Sequence, residues 1–198
     1  MNVDLEFEKQ YWNTCVNTFH EDKKQYTYAY YMGIPRILDS FDVQYKTILD
    51  IGGGPSSMLL KCINLTKGKV VDPIDYPQWT KGRYAIHKVD VEVIGGEYIN
   101  EKGWDEVWTY NCLQHVEDPE KILSNALKAG KILRLFDWIN VPPHPGHPHE
   151  LTTEMFYNIL RPVTNTKYSS VVNLLDEPSA CYGEAFYGVF ESLIYEQN

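Results

Sequence analysis

The ten residues Ile48–Ser57, ILDIGGGPSS, restrict the fold more than any other stretch of the chain. Thr47–Ile51 is a short β-branched run before glycines, the pattern of a strand buried in a sheet. Gly52, Gly53 and Gly54 follow at once. Glycines let the chain turn sharply and bring backbone N–H groups close to a ligand. Ser56–Leu65 (SSMLLKCINL) reads as a helix beginning at that turn. A helix N-terminus adds partial positive charge suited to a carboxylate or phosphate. The plainer reading of the same residues is a tight strand-to-helix turn with a capping acid.

The rest of the chain repeats the alternation. Gly68–Asp72 reads as a second strand stopped by Pro73, Tyr84–Val89 as a third, and Trp104–Tyr110 as a fourth. Asp118–Lys128 reads as a helix, with Pro119 in its first turn, where a missing N–H does no harm, and Gly130 closing it. Lys131–Trp138 is a fifth strand, and Lys167–Leu175 and Ala185–Tyr195 form a hairpin at the end. Thr152 or Thr153 caps a helix running to about Leu160. Strands alternating with helices predict an α/β, Rossmann-like, seven-stranded and mostly parallel sheet with helices on both faces. Residues 5–32 read as helical. Phe7, Tyr11, Cys15 and Phe19 recur every four residues with Trp12 beside them, which predicts one apolar face. Tyr26, Tyr28, Tyr30 and Tyr31 form a second aromatic cluster. The expected organisation is one domain over 1–198, with a helical cap at 1–40, a cofactor-binding core at 45–140, and a substrate loop and hairpin at 141–198.

Bulk properties narrow the functions. A chain of 198 residues can bury a core without staples. The formal charge of −9, with no run of Lys and Arg, disfavours a nucleic-acid partner. No apolar run approaches the roughly 20 residues needed to span a bilayer, and the acidic, polar start is no signal peptide. Cys15, Cys62, Cys112 and Cys181 are too far apart for CxxC chemistry and read as free thiols of a cytoplasmic protein.

Two acids give the glycine turn its chemistry. Asp50 stands two residues before Gly52, in an acid-x-Gly-x-Gly pattern. Asp72 ends the next strand, where a carboxylate can accept bonds from both hydroxyls of a ribose. A dinucleotide fingerprint needs GxGxxG, and its third glycine position holds Ser57. In order and spacing, Thr47–Trp138 resembles the class I S-adenosylmethionine (SAM)-dependent methyltransferases, of the small-molecule type. ILDIGGGP resembles their first motif, VVDPIDYP the second-strand acid motif and HKVDVE the acidic third-strand motif. DEVWTYNCLQHVEDPEKIL resembles the fourth strand and following helix, and LKAGKILRLFDW the turn and fifth strand. Ser56, Ala129 and Lys131 depart from common family residues. The resemblance implies SAM as cofactor and S-adenosylhomocysteine (SAH) as product. Gly52, Gly53 and Gly54 would pass close to the methionine part, and Asp50 would order the loop. Asp72 would hold the ribose, Asp90 the adenine amino group with Val91 packed nearby, and Asn111 the methionine amine.

Transfer to an oxygen or nitrogen of a small-molecule substrate calls for a general base, and histidine is the natural one near neutral pH. His115, just past the fourth strand, is either that base or an ordering residue. His147 and His149 follow the fifth strand and are candidates for base or substrate contact; the alternative is a rigid surface loop. His144, His147, His149 and Glu150 lie within seven residues, but four prolines constrain this loop, and no metal is expected. Tyr11, Trp12, Tyr26 and Tyr30 are candidates for a lid, and Trp79 for a flank of the adenine. Two other functions compete: a SAM- or nucleotide-binding module without catalysis, and an NAD-type oxidoreductase.

Overall fold

A computed structural model describes residues 5–144, 146–175 and 182–195; Cys181 lies outside the described residues. In chain order the elements are α1 (Leu5–Trp12), α2 (Cys15–Tyr31), β1 (Arg36–Ile37), β2 (Ser40–Asp42), β3 (Thr47–Ile51), β4 (Cys62–Ile63) and β5 (Lys67–Asp72). They continue as α3 (Gln78–Ile86), β6 (Val89–Val93), β7 (Trp104–Tyr110), α4 (Pro119–Ala129), β8 (Gly130–Ile139), α5 (Thr153–Leu160), β9 (Thr164–Asn173) and β10 (Glu184–Ser192). Seven strands form one sheet in the order β6-β5-β3-β7-β8-β10-β9. The first five are parallel; β10 runs antiparallel to both β8 and β9. Among the described residues, no helix is long and apolar enough to cross a membrane.

Side chains alternate across this sheet, so each central strand feeds two cores. Ile48, Val70, Trp108, Phe136 and Trp138 face α2, packing with Tyr28 and Met32, and meet Tyr84 of α3. Leu49, Val71, Val107, Leu133 and Leu135 face α4 and α5, meeting Leu123, Leu127 and Phe156. Helices thus cover both faces. Asp118 caps α4 by accepting the Lys121 N–H at 2.9 Å, and Thr152 caps α5 by accepting that of Met155 at 3.2 Å. The strand order reverses at β3 and β7, earlier additions lying to one side and later ones to the other, which opens a crevice at their carboxyl ends.

Three expectations need correction. Ser56–Leu65 is not an α-helix: a single 3₁₀ turn, Met58–Lys61, leads into β4, which pairs with β2 beside the main sheet. Met58, Leu59 and Leu60 are all buried, and three successive buried side chains do not fit a helix with one apolar face. Beside this turn stands α2: Lys61 Nζ meets the Asp22 carbonyl at 2.6 Å and Gln25 Oε1 at 2.9 Å. Tyr84–Val89 is not a strand either. Thr80 and Tyr84, four residues apart, are the buried face of α3, and the edge strand β6 starts only at Val89. Finally, the stripe Phe7–Tyr11–Cys15–Phe19 points to solvent; Phe7, Tyr11 and Phe19 are each about half exposed. The buried face of α2 is Thr18, Glu21, Gln25, Tyr28 and Ala29. A helix that turns polar residues inward is doing so against something polar, and the crevice lies there.

Candidate active site

The carboxyl ends of β3, β5 and β7 line a cavity of about 330 Å³, within the size range of small-molecule sites. Its floor is the glycine turn. Gly52 and Gly54 have φ of +74° and +61°, conformations that only glycine adopts without strain. A side chain at Gly52 would also collide with Cys112 Sγ. The Gly52 N–H donates to the Val71 carbonyl at 2.8 Å, tying the turn to the end of β5.

Two buried acids shape the turn. Asp50 lies beneath it: its Oδ2 accepts from Ser57 Oγ at 2.5 Å and from Tyr110 Oη at 2.7 Å. Burial lifts its pKa to about 7 against those two bonds, and the charge of Asp72 adds to the rise. Asp72 lines the cavity itself. Its Oδ2 accepts the Gly54 N–H at 3.1 Å and its Oδ1 that of Ile74 at 2.9 Å. Burial raises this carboxyl to about 6, opposed by these backbone bonds and by the Tyr76 hydroxyl.

On the other side of β3, Asn111 leaves β7 with φ +48° and faces the same cavity. Its Oδ1 accepts from Trp138 Nε1 at 2.9 Å, and its Nδ2 donates to Glu21 Oε1 at 3.2 Å. Next to it, the N–H groups of Cys112 and Leu113 both point at Asp137 Oδ2, at 3.2 and 2.8 Å, which fixes the loop leaving β7. His115 ends that loop. Its Nδ1 donates to the Gly146 carbonyl at 2.7 Å and lies 3.2 Å from Glu8 Oε1. Because a carbonyl only accepts, Nδ1 carries a proton. Burial works against charge on His115, but the bond and charge of Glu8 outweigh it and hold its pKa above the ordinary value.

The roof comes from the N-terminal helices: Leu5, Glu8 and Trp12 of α1 and Glu21 of α2. Trp12 Nε1 donates to Glu8 Oε2 at 3.1 Å. Glu21 is 8% exposed, and its Oε2 makes no hydrogen bond, with Lys24 Nζ at 3.5 Å. Burial raises its pKa, and Lys24, Tyr28 and Asn111 offset only part of that.

The sequence-derived site is therefore brought together in part. Gly52, Gly53, Gly54, Asp72, Asn111 and His115 line one cavity, with Asp50 directly below. Asp90 and Val91 do not join them. They sit early in β6, whereas Val93 is the residue level with Asp72, so the expectation is three residues out of register. Gly95, Gly96, Glu97 and Tyr98, past the end of that strand, line the cavity instead. His147 and His149 are also outside. His147 is buried behind His115, ring centroids 4.3 Å apart, and burial with the charges of His115 and His144 pushes it down to about 3. His149 Nε2 meets the Glu117 carbonyl at 3.0 Å. No group of three His, Cys, Asp or Glu able to hold a metal ion occurs among the described residues. Of the lid candidates Trp12 lines the cavity and Tyr11, Tyr26 and Tyr30 do not; nor does Trp79. Glu8, Glu21, Tyr76 and Cys112 escaped the sequence reading. The one available signal was the Glu8–Trp12 spacing of one helical turn.

A five-stranded parallel run closed by an antiparallel hairpin, with a glycine turn and an acid at adjacent strand tips, is the fold of the class I SAM-dependent methyltransferases. Particular solved structures bear this out. The putative methyltransferase of Haloferax volcanii, solved with the Trm112 methyltransferase activator, aligns with a TM-score of 0.69 at 12% identity over 97% of this chain and 99% of that one. Magnesium protoporphyrin IX methyltransferase (ChlM) from Synechocystis PCC 6803, with SAM bound, gives 0.64 at 12% over 97% and 99%. The [4+2]-cyclase SpnF gives 0.60 at 12% over 87% and 81%. At these identities the likeness speaks for the fold alone. No family model and no curated sequence matches the chain.

Proposed function

We propose that this protein is a SAM-dependent methyltransferase that acts on an oxygen or nitrogen of a small molecule. The observation that carries this reading is one shared cavity between the positive-φ turn Gly52–Gly54 and the Asp72 carboxylate. The residues fit the cofactor. The bare turn leaves backbone open to the methionine end, and Asp72 offers acceptor oxygens to a ribose. Gly95–Tyr98 supplies the wall an adenine would need, in place of Asp90 and Val91. Asp50 acts through the turn, since its bonds to Ser57 and Tyr110 hold the backbone in place. When bound, the sulfonium would supply an electrophilic methyl group. The work left to the chain is to align acceptor and methyl carbon and to exclude water. The roof of α1 and α2 serves both ends, and the Nδ1–H tautomer of His115 leaves its Nε2 as the basic nitrogen.

An NAD-type reading fits less well. A pyrophosphate is held by the N-terminus of a long helix, and a single 3₁₀ turn follows the glycines here. The cavity also presents Glu8, Glu21, Asp72, Glu97 and Glu117 and, among the described residues, no Lys or Arg. Such a lining disfavours the pyrophosphate dianion of NAD and suits the net positive charge of SAM.

Gly54→Val tests the site. Valine cannot adopt φ +61° without strain of about 1–3 kcal/mol, and its side chain fills the space over the turn. Titration calorimetry should show SAM binding to the wild type and at least a hundredfold weaker binding to the variant. Unchanged affinity would remove the glycine turn from the site.

A further inference from the structure

Helix α1 covers the cavity without being packed firmly onto the molecule. Leu5, Phe7 and Tyr11 are 45%, 45% and 48% exposed, so apolar burial does little to hold the helix down. Its buried residue is an acid, Glu8. Leu5, Glu8 and Trp12 nevertheless line the cavity. What seats the helix is local. Glu8 Oε1 lies 3.2 Å from His115 Nδ1. Behind this pair, the N–H groups of His144 and His147 donate to each other's carbonyls at 3.0 and 2.8 Å, closing a tight turn in which Gly146 has φ +87°. A Cβ on Gly146 would come within 3.0 Å of Phe7 Cε1 and 3.1 Å of Glu8 Oε1, so only glycine lets the turn meet α1 this closely. At its other end α1 joins α2 through Asn13 and Thr14, both exposed. Thr14 is extended, with φ −115° and ψ 136°, and caps α2 by accepting the Asn17 N–H at 3.2 Å. The joint breaks the helix rather than continuing it, and such element-terminal positions absorb hinge motion.

We propose that α1 is a door hinged at Asn13–Thr14 and latched by the Glu8–His115 ion pair, and that loss of the His115 proton releases it and frees ligand exchange. The hinge and latch stand on the contacts above; the consequence for ligand exchange rests on the cofactor reading. While the imidazole is charged, its Nδ1–H faces both the Gly146 carbonyl and Glu8, and the pair is ionic. Once it is neutral, Nδ1–H still serves Gly146, but Glu8 loses its counter-ion and keeps Trp12 Nε1 at 3.1 Å. A buried carboxylate stripped of its counter-ion is costly, and swinging α1 out to water removes that cost. The pair raises the pKa of His115 above the ordinary 6.5. Closing the door therefore takes up a proton: the closed state is favoured below 6.5 and loses that advantage as pH rises through the raised value. Other groups face the latch. Asp137 of β8 favours charge on His115. His147, pushed down to about 3 by burial and by the charges of His115 and His144, stays neutral from pH 6 upward, and Tyr182 Oη lies 3.3 Å from its Nε2. Gln114, beside His115 Nε2 at 3.4 Å, carries no charge. From the cavity side Asp72, held up to about 6, repels Glu8 once ionised and so also favours opening as pH rises.

The test follows quench-flow hydrogen exchange of residues 5–12 in the full chain without ligand, corrected for intrinsic exchange rates, at pH 6 and pH 8.5. Protection of α1 should fall at least threefold from the lower to the higher pH. Glu8→Gln should be weakly protected at both, with no such fall. His115→Gln, as a second variant, separates the histidine from Asp72: it too should lose the pH dependence. A wild-type change smaller than threefold overturns the latch, and so does a Glu8→Gln protein that keeps the change. A His115→Gln protein that keeps it makes Asp72 the switch and overturns the proposal equally; should that variant not fold, Glu8→Gln decides. SAH is then added. Its release, by stopped-flow displacement, should quicken at least threefold over the same pH range in the wild type and not in Glu8→Gln. Release that does not follow the opening of α1 overturns the role of the door in exchange. If SAH fails to bind the wild type at all, the cofactor reading falls and the ligand-exchange clause with it, whereas the free protein has by then decided the latch.

Discussion

Asp50 sets a conflict at the scale of one residue. It sits on the central strand, fully buried, with two hydroxyl donors on Oδ2 and none on Oδ1. An unfolded carboxyl loses its proton near pH 3.9, whereas this one holds it to about 7. Between those values the folded protein binds the extra proton, so stability falls as pH rises through the window, by at most about 1.4 kcal/mol per pH unit. Asparagine keeps an acceptor for both hydroxyls and has no charge to bury. Asp50→Asn should therefore leave the Tm at pH 4 nearly unchanged and raise it at pH 8; thermal melts at both pH values check this, and a lower Tm at pH 8 refutes the account. Asp50 and the glycines were legible in the sequence because their demands are local: a sharp backbone turn and an acid two residues before it. Glu8 and Glu21 were not, because their roles depend on His115 and Asn111, about 90 or more residues away. Asp90 was misplaced because the sequence does not mark where an edge strand ends.

At the scale of elements, β3 and β7 match their expected limits, and β8 extends its expected limits by one residue at each end. These strands are buried on both faces, so an unbroken apolar run marks them. Where one side chain serves a specific partner, the pattern misleads. Gly130 follows α4 as expected, but with φ −138° it needs no left-handed turn. It is glycine because a Cβ would come within 2.6 Å of Val107 Cγ2. The aromatic stripe of α1 and α2 misled most, since the polar face of these helices is the one that covers the cavity. Helix α1 is moored by Glu8, its one buried residue, to His115. Removing the charge should let burial dominate His115. In Glu8→Gln the imidazole should titrate at lower pH than in the wild type, followed by its ring proton shifts in NMR. A pKa that stays put or rises would mean that Glu8 does not govern this histidine.

For the whole molecule, the sheet order could be anticipated because strand–helix alternation leaves few right-handed parallel arrangements, and a long hairpin can close only onto the free edge. What the order builds is a crevice at the reversal between β3 and β7, lined by Glu8, Glu21, Asp72, Glu97 and Glu117. That charge distribution makes ligand selectivity a property of the entire fold. SAH at a hundred times its Kd stabilises the native state by about 2.7 kcal/mol. For a domain of this length each kcal/mol moves the Tm by about 2–4 °C, so SAH should raise it by roughly 5–11 °C. NAD, whose pyrophosphate dianion would face five carboxylates with, among the described residues, no lysine or arginine in the lining to meet it, should shift the Tm by less than about 1 °C at the same concentration, within what nonspecific binding gives. A differential scanning experiment with both ligands decides the matter. If NAD stabilises the protein as much as SAH does, the acidic lining is not what selects the cofactor, and the argument from cavity charge fails.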